Sequence, residues 1–390
     1  MGMTEAAELV DQTALAEFCR EELGGGSGAE LSVTYHGDGL SNETLFVDWG
    51  DHELVLRRPP AGAHDEGAHD VLREARVMDA VAGEVPVPAV AATCDDPELI
   101  GSEFVLLERL DGDVLRTTEP GRFATADARR AVGERLVDTL AEVHAVDYEA
   151  VGLHEGEFGY PAGYLERQVE TFRQQLEEWL LPMTEHDRQV PHIRAVGEWL
   201  AENVPDEADH TLVHGDYKLD NVMFAPGTPP SVAGVLDWEL ATLGDPLADL
   251  GWMLVFWRDG GARSAPGRAS GERGVEDPGE RHRCERNDPR AAGDPEPVLP
   301  EGLVPTFMQQ SDYHSRRELV ARYEERTGRE FRNERFYRGL AAYKITATCE
   351  AMYFRYRSGD ADDPLYPALE EGVPALARRA RRIVDGEEPL

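Results

Sequence analysis

Lysine is nearly missing from this chain. Of its 39 basic residues, 37 are arginines and only two, Lys218 and Lys344, are lysines, where an average chain of this length would carry roughly two dozen lysines. Positive charge is scarce overall, because 76 acidic residues leave a formal charge of −37. A balance this acidic argues against a nucleic-acid binder and against a partner of anionic membrane, since polyanionic surfaces would repel most of its face. Acid excess with so little lysine is expected of a protein from a halophile, whose cytosol of molar salt shrinks the Debye length to about 3 Å. A GC-rich genome would explain the missing lysine but not the charge. The four cysteines, Cys19, Cys94, Cys284 and Cys349, are far apart and form no CxxC pair, so neither a disulfide framework nor a zinc site is indicated. No apolar run approaches the roughly 18 residues of a membrane span. The acidic start MGMTEAAELVDQ lacks the layout of a signal peptide, and the expected location is the cytoplasm.

What is present suffices for a core. Hydrophobic residues make up 41% of 390 positions, enough for one large domain or two ordinary ones. Residues 4–22 carry apolar positions at helical spacing and end at Gly24-Gly25-Gly26, so 1–26 are expected as an N-terminal helix. From Leu31 to Pro59 the period changes to two, in LSVTYHG, ETLFVDW and HELVLRRP, which reads as three antiparallel strands. A helix over 66–82 and two further strands near 87–93 and 102–110 complete a small sheet domain, 27–111.

Beyond Gly112 the apolar stripes recur at 3.6-residue spacing. Helices are expected over 122–146, 161–181, 187–203, 246–257, 313–327, 332–358 and 365–384, each with a charged outer face. Only 211–237 interrupts them, with the short strands TLVH, VMF and AGVLD around the polar loop GDYKLDN. The fold class is therefore α+β: a β-rich lobe, then a mainly helical lobe over 112–390, with a cleft between them. Residues 258–297 hold seven Gly, five Pro, eight Arg and nine acids, with no aromatic residue, Leu or Ile, and are expected as a disordered insertion.

The polar loop carries the chemistry. His214-Gly215-Asp216-Tyr217-Lys218-Leu219-Asp220-Asn221 is followed, sixteen residues after Asn221, by Asp237-Trp238-Glu239 at a strand end. If the flanking strands pair, Asp216, Asn221 and Asp237 converge. That set can hold magnesium on the phosphates of a nucleotide such as ATP while a hydroxyl attacks, with Asp216 as base or orienter and Asn221 and Asp237 as metal ligands.

H-G-D-x-x-x-x-N followed by D-W-E resembles the aminoglycoside phosphotransferase and choline kinase branch of the protein-kinase-like fold. The wider series SNETLFV, LVLRRPP, REARVM, VPVPAV, LAEVHAVD and LDWELATLGDPLADLGWML is similar to the phosphotransferase domain fused to some acyl-CoA dehydrogenases. The resemblance covers about 31–357 apart from the insertion. It implies a two-lobed, ATP- and Mg²⁺-dependent small-molecule kinase. Lys218 would steady the transferring phosphate. Gly39, Ser41 and Asn42, in a turn that a plain hairpin would also produce, would lie over the phosphates. Arg57 would take the place of the usual phosphate-binding lysine, with Glu74 as its ion-pair partner. The backbone of Glu108 and Leu110 would meet the adenine edge, with Leu107 behind it. Asp249 and His214 would support the catalytic loop, and Glu239 could approach a second metal.

The acceptor would sit against the helical lobe. On 339–358 the candidates are Lys344, Thr348, Glu350, Tyr353, Arg355 and Arg357: inward arginine would favour a carboxylate or phosphate, and inward Glu350 an amine. By the same resemblance, hydroxyacyl-CoA or hydroxy acids come first as acceptors, then sugars and amino alcohols, with aminoglycosides last. A rival reading is a nucleotide-binding regulatory domain without transfer activity. Its mark would be a lost base or metal ligand, whereas Asp216, Asn221 and Asp237 are all present.

Overall fold

The structure is a computed structural model that describes residues 10–24, 29–36, 42–60, 70–186, 188–207, 209–259, 307–361 and 363–390. Asp11 starts helix α1 (Gln12–Glu22) by accepting the amides of Thr13 and Ala14, a side-chain cap that satisfies two otherwise orphaned donors. Leu15 and Cys19, one turn apart, bury themselves with Val33, Leu45, Leu56 and Leu106 of the sheet. The helix expected as a separate N-terminal piece is thus part of the small lobe's core.

That sheet has the order β1 (Leu31–His36), β2 (Glu43–Trp49), β3 (His52–Arg58), β5 (Phe104–Glu108), β4 (Val90–Cys94), antiparallel throughout. The β2–β3 turn is tight, because Trp49 pairs with His52 and leaves Gly50 and Asp51 between them, Gly50 at φ +60°. A two-residue hairpin turn needs that left-handed conformation. Helix α2 (Val71–Val81), capped by Asp70, buries Val71, Ala75, Met78 and, unusually, Glu74.

In the large lobe, β6 (Asp113–Val114), β8 (Val222–Phe224) and β9 (Val232–Val235) form one small sheet, and β7 (Thr211–Val213) pairs with β10 (Thr242–Gly244). Around them lie α3 (Ala126–Val143), α4 (Tyr164–Arg173), α5 (Ile193–Glu202), α6 (Pro246–Phe256), α7 (Arg316–Thr327), α8 (Glu334–Ser358) and α9 (Leu369–Asp385). Two details differ from the sequence expectation. The run after α4 continues as a π-helical turn, Gln174–Leu180, rather than as regular α-helix. Helix α6 has no charged outer face: every residue from Asp249 to Phe256 is buried, because it is the central helix of the lobe. At Gly251 an added Cβ would come within 2.8 Å of Tyr337 on α8, so the close approach of the two helices depends on that glycine.

Of the stretch 258–297, Arg258 and Asp259 are described. Arg258 is buried, and Asp259 accepts the amide of Arg316 at the start of α7. The expectation for 260–297 falls outside the described residues. Among the described residues, no helix is long and apolar enough to cross a membrane, and Cys19, Cys94 and Cys349 are free and buried.

Candidate active site

Strand β7 delivers the chain to His214 and β8 takes it away after Asn221, so the intervening loop is fixed at both ends. Val222 pairs with Val235 across β8–β9, and the amide of Leu236 donates to the carbonyl of Asn221 at 2.8 Å. This pairing brings Asp237 beside the loop. Asp216, Lys218, Asn221 and Asp237, separated by as many as 21 positions in sequence, therefore share one site.

Asp216 is held on both carboxylate oxygens. Asn221 Nδ2 donates to Oδ2 at 2.8 Å and to the Asp216 carbonyl at 2.9 Å, and Lys218 Nζ forms an ion pair with the same Oδ2. The indole N–H of Trp252 donates to Oδ1 at 2.7 Å. A carboxylate gripped this way cannot rotate freely, which is what a positioned base or orienter requires.

Beneath it a second carboxylate shapes the loop. Asp249 accepts the amides of His214 at 2.6 Å and Gly215 at 2.8 Å, and lies 3.4 Å from His144 Nε2. His144 Nδ1 is 2.7 Å from the Tyr323 hydroxyl, so the network casts His144 as neutral, accepting from Tyr323 and donating to Asp249. Burial is the largest single influence and works against the Asp249 charge, but the bond to His144, the neighbouring His144 and His214 rings and the His214 amide together outweigh it and hold this carboxyl below its ordinary range. Gly215 has φ +84°, and a Cβ there would stand 2.6 Å from the Leu240 carbonyl, so this position needs glycine. His214 is fully buried on Trp238 and donates to the Leu236 carbonyl at 2.9 Å. Both residues support the loop as the resemblance implied.

The small lobe contributes Arg57 from β3. Its Nη1 lies 2.6 Å from Glu74 on α2 and its Nη2 3.2 Å from Asp237. Burial alone would lower the Arg57 pKa, but Glu74 and Asp237 raise it overall. Burial pushes the Glu74 carboxyl up to about 7, against the pull of Arg57. Its Oε1 also accepts the Trp238 amide at 3.2 Å. Asp237 itself sits at φ 65°, a left-handed conformation that Asp tolerates better than most residues. Arg73 on α2 also crosses to the large lobe, bonding the carbonyls of Ala241 at 2.7 Å and Phe158 at 3.2 Å.

The remaining nucleotide-side candidates divide. Gly39 and Ser41 lie outside the described residues. Asn42 is buried, and among the described residues both ends of its side-chain amide lack a partner, which leaves them free for a polar ligand. The Glu108 amide is taken by the Ala89 carbonyl at 2.8 Å, which removes it as an adenine donor. The Leu110 side chain lies against Gly234 of β9, at the junction of the lobes. Glu239 is half-buried, near enough to bear on the charges of Arg57 and Glu74.

The acceptor candidates on α8 require correction. Glu350 is fully buried, paired with Arg188 at 2.5 Å and bonded by Thr184. Tyr353 is buried under the Arg188 guanidinium, and Arg355 and Arg357 are exposed. Six residues of helix turn through about 600°, so Glu350 points well away from the side of α8 that Lys344 occupies. Lys344 alone of the set packs on Trp252, the donor to Asp216, its Nζ 5.1 Å from the centres of both the Trp252 and Phe172 rings.

Sequence reasoning missed Trp252, His144, Tyr323 and Arg73. Trp252 follows Asp249 by three positions, and an interior helix placing a tryptophan one turn after a loop-binding aspartate was the available signal.

Residues 32–284 match the phosphotransferase enzyme family. The chain belongs to that family. It is 34% identical to acyl-CoA dehydrogenase family member 10 of Mus musculus over 64% of this chain and 22% of that protein. It is also 34% identical to acyl-CoA dehydrogenase family member 11 of Homo sapiens, over 66% of this chain and 33% of that one. The match thus spans a third or less of these curated relatives. Among solved structures, a candidate aminoglycoside phosphotransferase from Ralstonia eutropha superposes with a TM-score of 0.72 at 29% identity, covering 97% of this chain and 99% of that one. A choline kinase from Cryptosporidium parvum shares the fold at a TM-score of 0.58 and 12% identity, covering 97% of each chain. The two-lobed kinase-like architecture expected from the sequence is the architecture observed.

Proposed function

We propose that this phosphotransferase moves the terminal phosphoryl group of ATP to a hydroxyl of a small molecule, with Mg²⁺, and that the acceptor is a hydroxy acid or a hydroxyacyl-CoA. The observation that carries the reading is the grip on Asp216: a carboxylate fixed by Lys218, Asn221 and Trp252 in the cleft between the lobes.

The residues fit the group that would occupy the site. Asn221 spends its Nδ2 on Asp216, which leaves its side-chain oxygen for a cation, and Asp237 adds carboxylate oxygens beside it. This is a hard-oxygen set of the kind that holds Mg²⁺ together with phosphate oxygens. Among the described residues no cluster of three or more His, Cys, Asp or Glu is arranged for a metal, so phosphate oxygens would complete the shell. A Mg²⁺ ion held by Asn221 and Asp237 would supply neutralisation of the phosphate charge. Arg57 and the unpartnered amide of Asn42 supply donors on the small-lobe side.

Asp216 then orients the acceptor hydroxyl and takes its proton as the oxygen–phosphorus bond forms. The bond from phosphorus to the bridging oxygen breaks, and ADP leaves. Lys218, paired with Asp216, is within reach of phosphoryl oxygens that gain charge. The rival reading, a regulatory domain without transfer, needs a missing base or metal donor, and all three groups stand together.

The test is transfer itself. Purified protein in high KCl with ATP, Mg²⁺ and a panel of hydroxylated acceptors should release ADP and yield a phosphorylated acceptor identifiable by mass spectrometry. Absence of both product and Mg²⁺-dependent ADP release across the panel would contradict the proposal.

A further inference from the structure

The only two lysines of the chain each lie over one ring of a single aromatic pair. Trp252 and Phe256 stand one turn apart on α6, their rings 5.0 Å between centres. Lys218 Nζ lies 5.7 Å from the Phe256 ring, and Lys344 Nζ lies 5.1 Å from the Trp252 ring. Trp252 in turn donates to Asp216, so a single indole ring separates Lys344 from the catalytic carboxylate.

The two ammonium groups are served differently. Lys218 has Asp216 as its counter-charge. Lys344 is half-buried, and among the described residues its ammonium has neither a hydrogen bond nor an ion pair. The nearest carboxylates are already engaged: Asp216 by Lys218, Asn221 and Trp252, and Asp249 by two amides and His144. Burial lowers the Lys344 pKa, with Asp249 and Asp216 opposing. The bland account is that ring faces alone satisfy this cation. Phe172 and Trp252 do stabilise it, by on the order of 1 kcal/mol each, but they leave three N–H donors without an oxygen. On a half-buried side chain those donors stay open to water or to an oxygen of a ligand. A lysine also suits a point-like anion beside two ring faces better than the planar fork of arginine.

We propose that Lys344 selects the acceptor, its ammonium taking a carboxylate or acyl carbonyl oxygen that lies a few bonds from the hydroxyl to be phosphorylated. This rests on the phosphotransfer reading above and sharpens it. An acceptor bearing an ammonium at that distance meets like charge from Lys344, and the Glu350 carboxylate is already spent on Arg188. Cationic amino alcohols are therefore disfavoured and acidic or acyl-bearing alcohols favoured.

The experiment uses the full chain in high KCl with ATP and Mg²⁺. The acceptors are a matched series of three to six carbons: hydroxy acids, their CoA thioesters, the corresponding diols and the corresponding amino alcohols. The wild-type protein should prefer acids or thioesters over diols, and diols over amino alcohols, in kcat/KM. Turnover of the acid but not the thioester identifies the oxygen as carboxylate, and the reverse identifies it as acyl carbonyl. Lys344→Met should reduce the preferred acceptor's advantage over the matching diol on the order of 10- to 100-fold, the worth of a charge-assisted hydrogen bond. The loss should fall on acceptor KM rather than on kcat or nucleotide KM. Because Met removes an unpaired partly buried charge, its melting temperature should equal or exceed that of the wild type, which excludes misfolding as the cause. Lys344→Arg should retain the order of preference. Unchanged discrimination in folded Lys344→Met, or a wild-type preference for amino alcohols or diols, would overturn the inference while leaving phosphotransfer intact. A complete lack of transfer, with ADP release indifferent to Asp216→Asn, would instead overturn the functional reading beneath it.

Discussion

Arg57 and Asp237 meet where the lobes join, the guanidinium of the small lobe 3.2 Å from a carboxylate of the large one, while the same guanidinium holds Glu74 at 2.6 Å. One cation thereby joins the sheet, the helix α2 and Asp237, the carboxylate proposed above as a metal donor. By the resemblance it would stand where such kinases have a phosphate-binding lysine, in a chain whose basic residues are nearly all arginine. Removing it leaves Glu74 buried without its partner. Arg57→Ala should cost on the order of 3 kcal/mol of stability and raise nucleotide KM roughly 10- to 100-fold. Thermal melting and steady-state kinetics check both, and an unchanged nucleotide KM would remove Arg57 from the phosphate site.

Trp252 is expected to act on Asp216 through one hydrogen bond. Trp252→Phe keeps an aromatic ring in the lobe interior but deletes the donor to Oδ1. Turnover should fall about tenfold, the worth of a single charge-assisted bond, with nucleotide KM little altered. A change confined to KM would mean that the indole serves binding rather than the carboxylate's orientation.

Much of this was legible in the sequence, for physical reasons. The strands 31–58 show period two because one face of their sheet is buried under α1, and the H-G-D-x-x-x-x-N loop is contiguous, so its chemistry can be read from one stretch. Contacts that join distant elements left fainter traces. Trp252 sits in a helix buried on all sides, where no periodicity separates a catalytic support from a core residue. The direction of Glu350 depends on how α8 is rotated against its neighbours, which its own sequence does not state. The N-terminal helix looked separate because the glycines after it hide how closely Leu15 and Cys19 pack on the sheet.

The C-terminal tail supplies a pH-dependent clasp. Glu388 accepts from Arg316, Arg338, Arg379 and Arg382. Burial opposes its charge, but Arg379, Arg316 and Arg338 prevail and hold its pKa at about 2, from an ordinary 4.5. A depressed carboxyl stabilises the fold fully above its unfolded pKa and loses that contribution as pH falls toward the folded one. Glu388→Gln should therefore lower stability at neutral pH by on the order of 3 kcal/mol, with the gap to wild type narrowing between about pH 4.5 and 2. Denaturant titrations across that range check it, and a constant gap would contradict it.

The charge of −37 bears on conditions. If the composition is an adaptation to molar salt, refolding yield and activity should rise as KCl increases from about 0.1 M to about 2 M, where screening shortens to a few ångströms. Full activity and reversible folding at low salt would contradict that origin.

The central claim is that Asp216 receives the acceptor's proton while the phosphoryl group moves, and Asp216→Asn tests it most directly. The asparagine preserves size and can still hydrogen-bond Trp252 through its oxygen, but it cannot serve as the base. Measured with ATP, Mg²⁺ and the best acceptor, kcat should fall on the order of 10²- to 10⁴-fold while the melting temperature and nucleotide KM stay close to wild type. Mg²⁺-dependent transfer that survives this substitution at the wild-type rate would contradict the account.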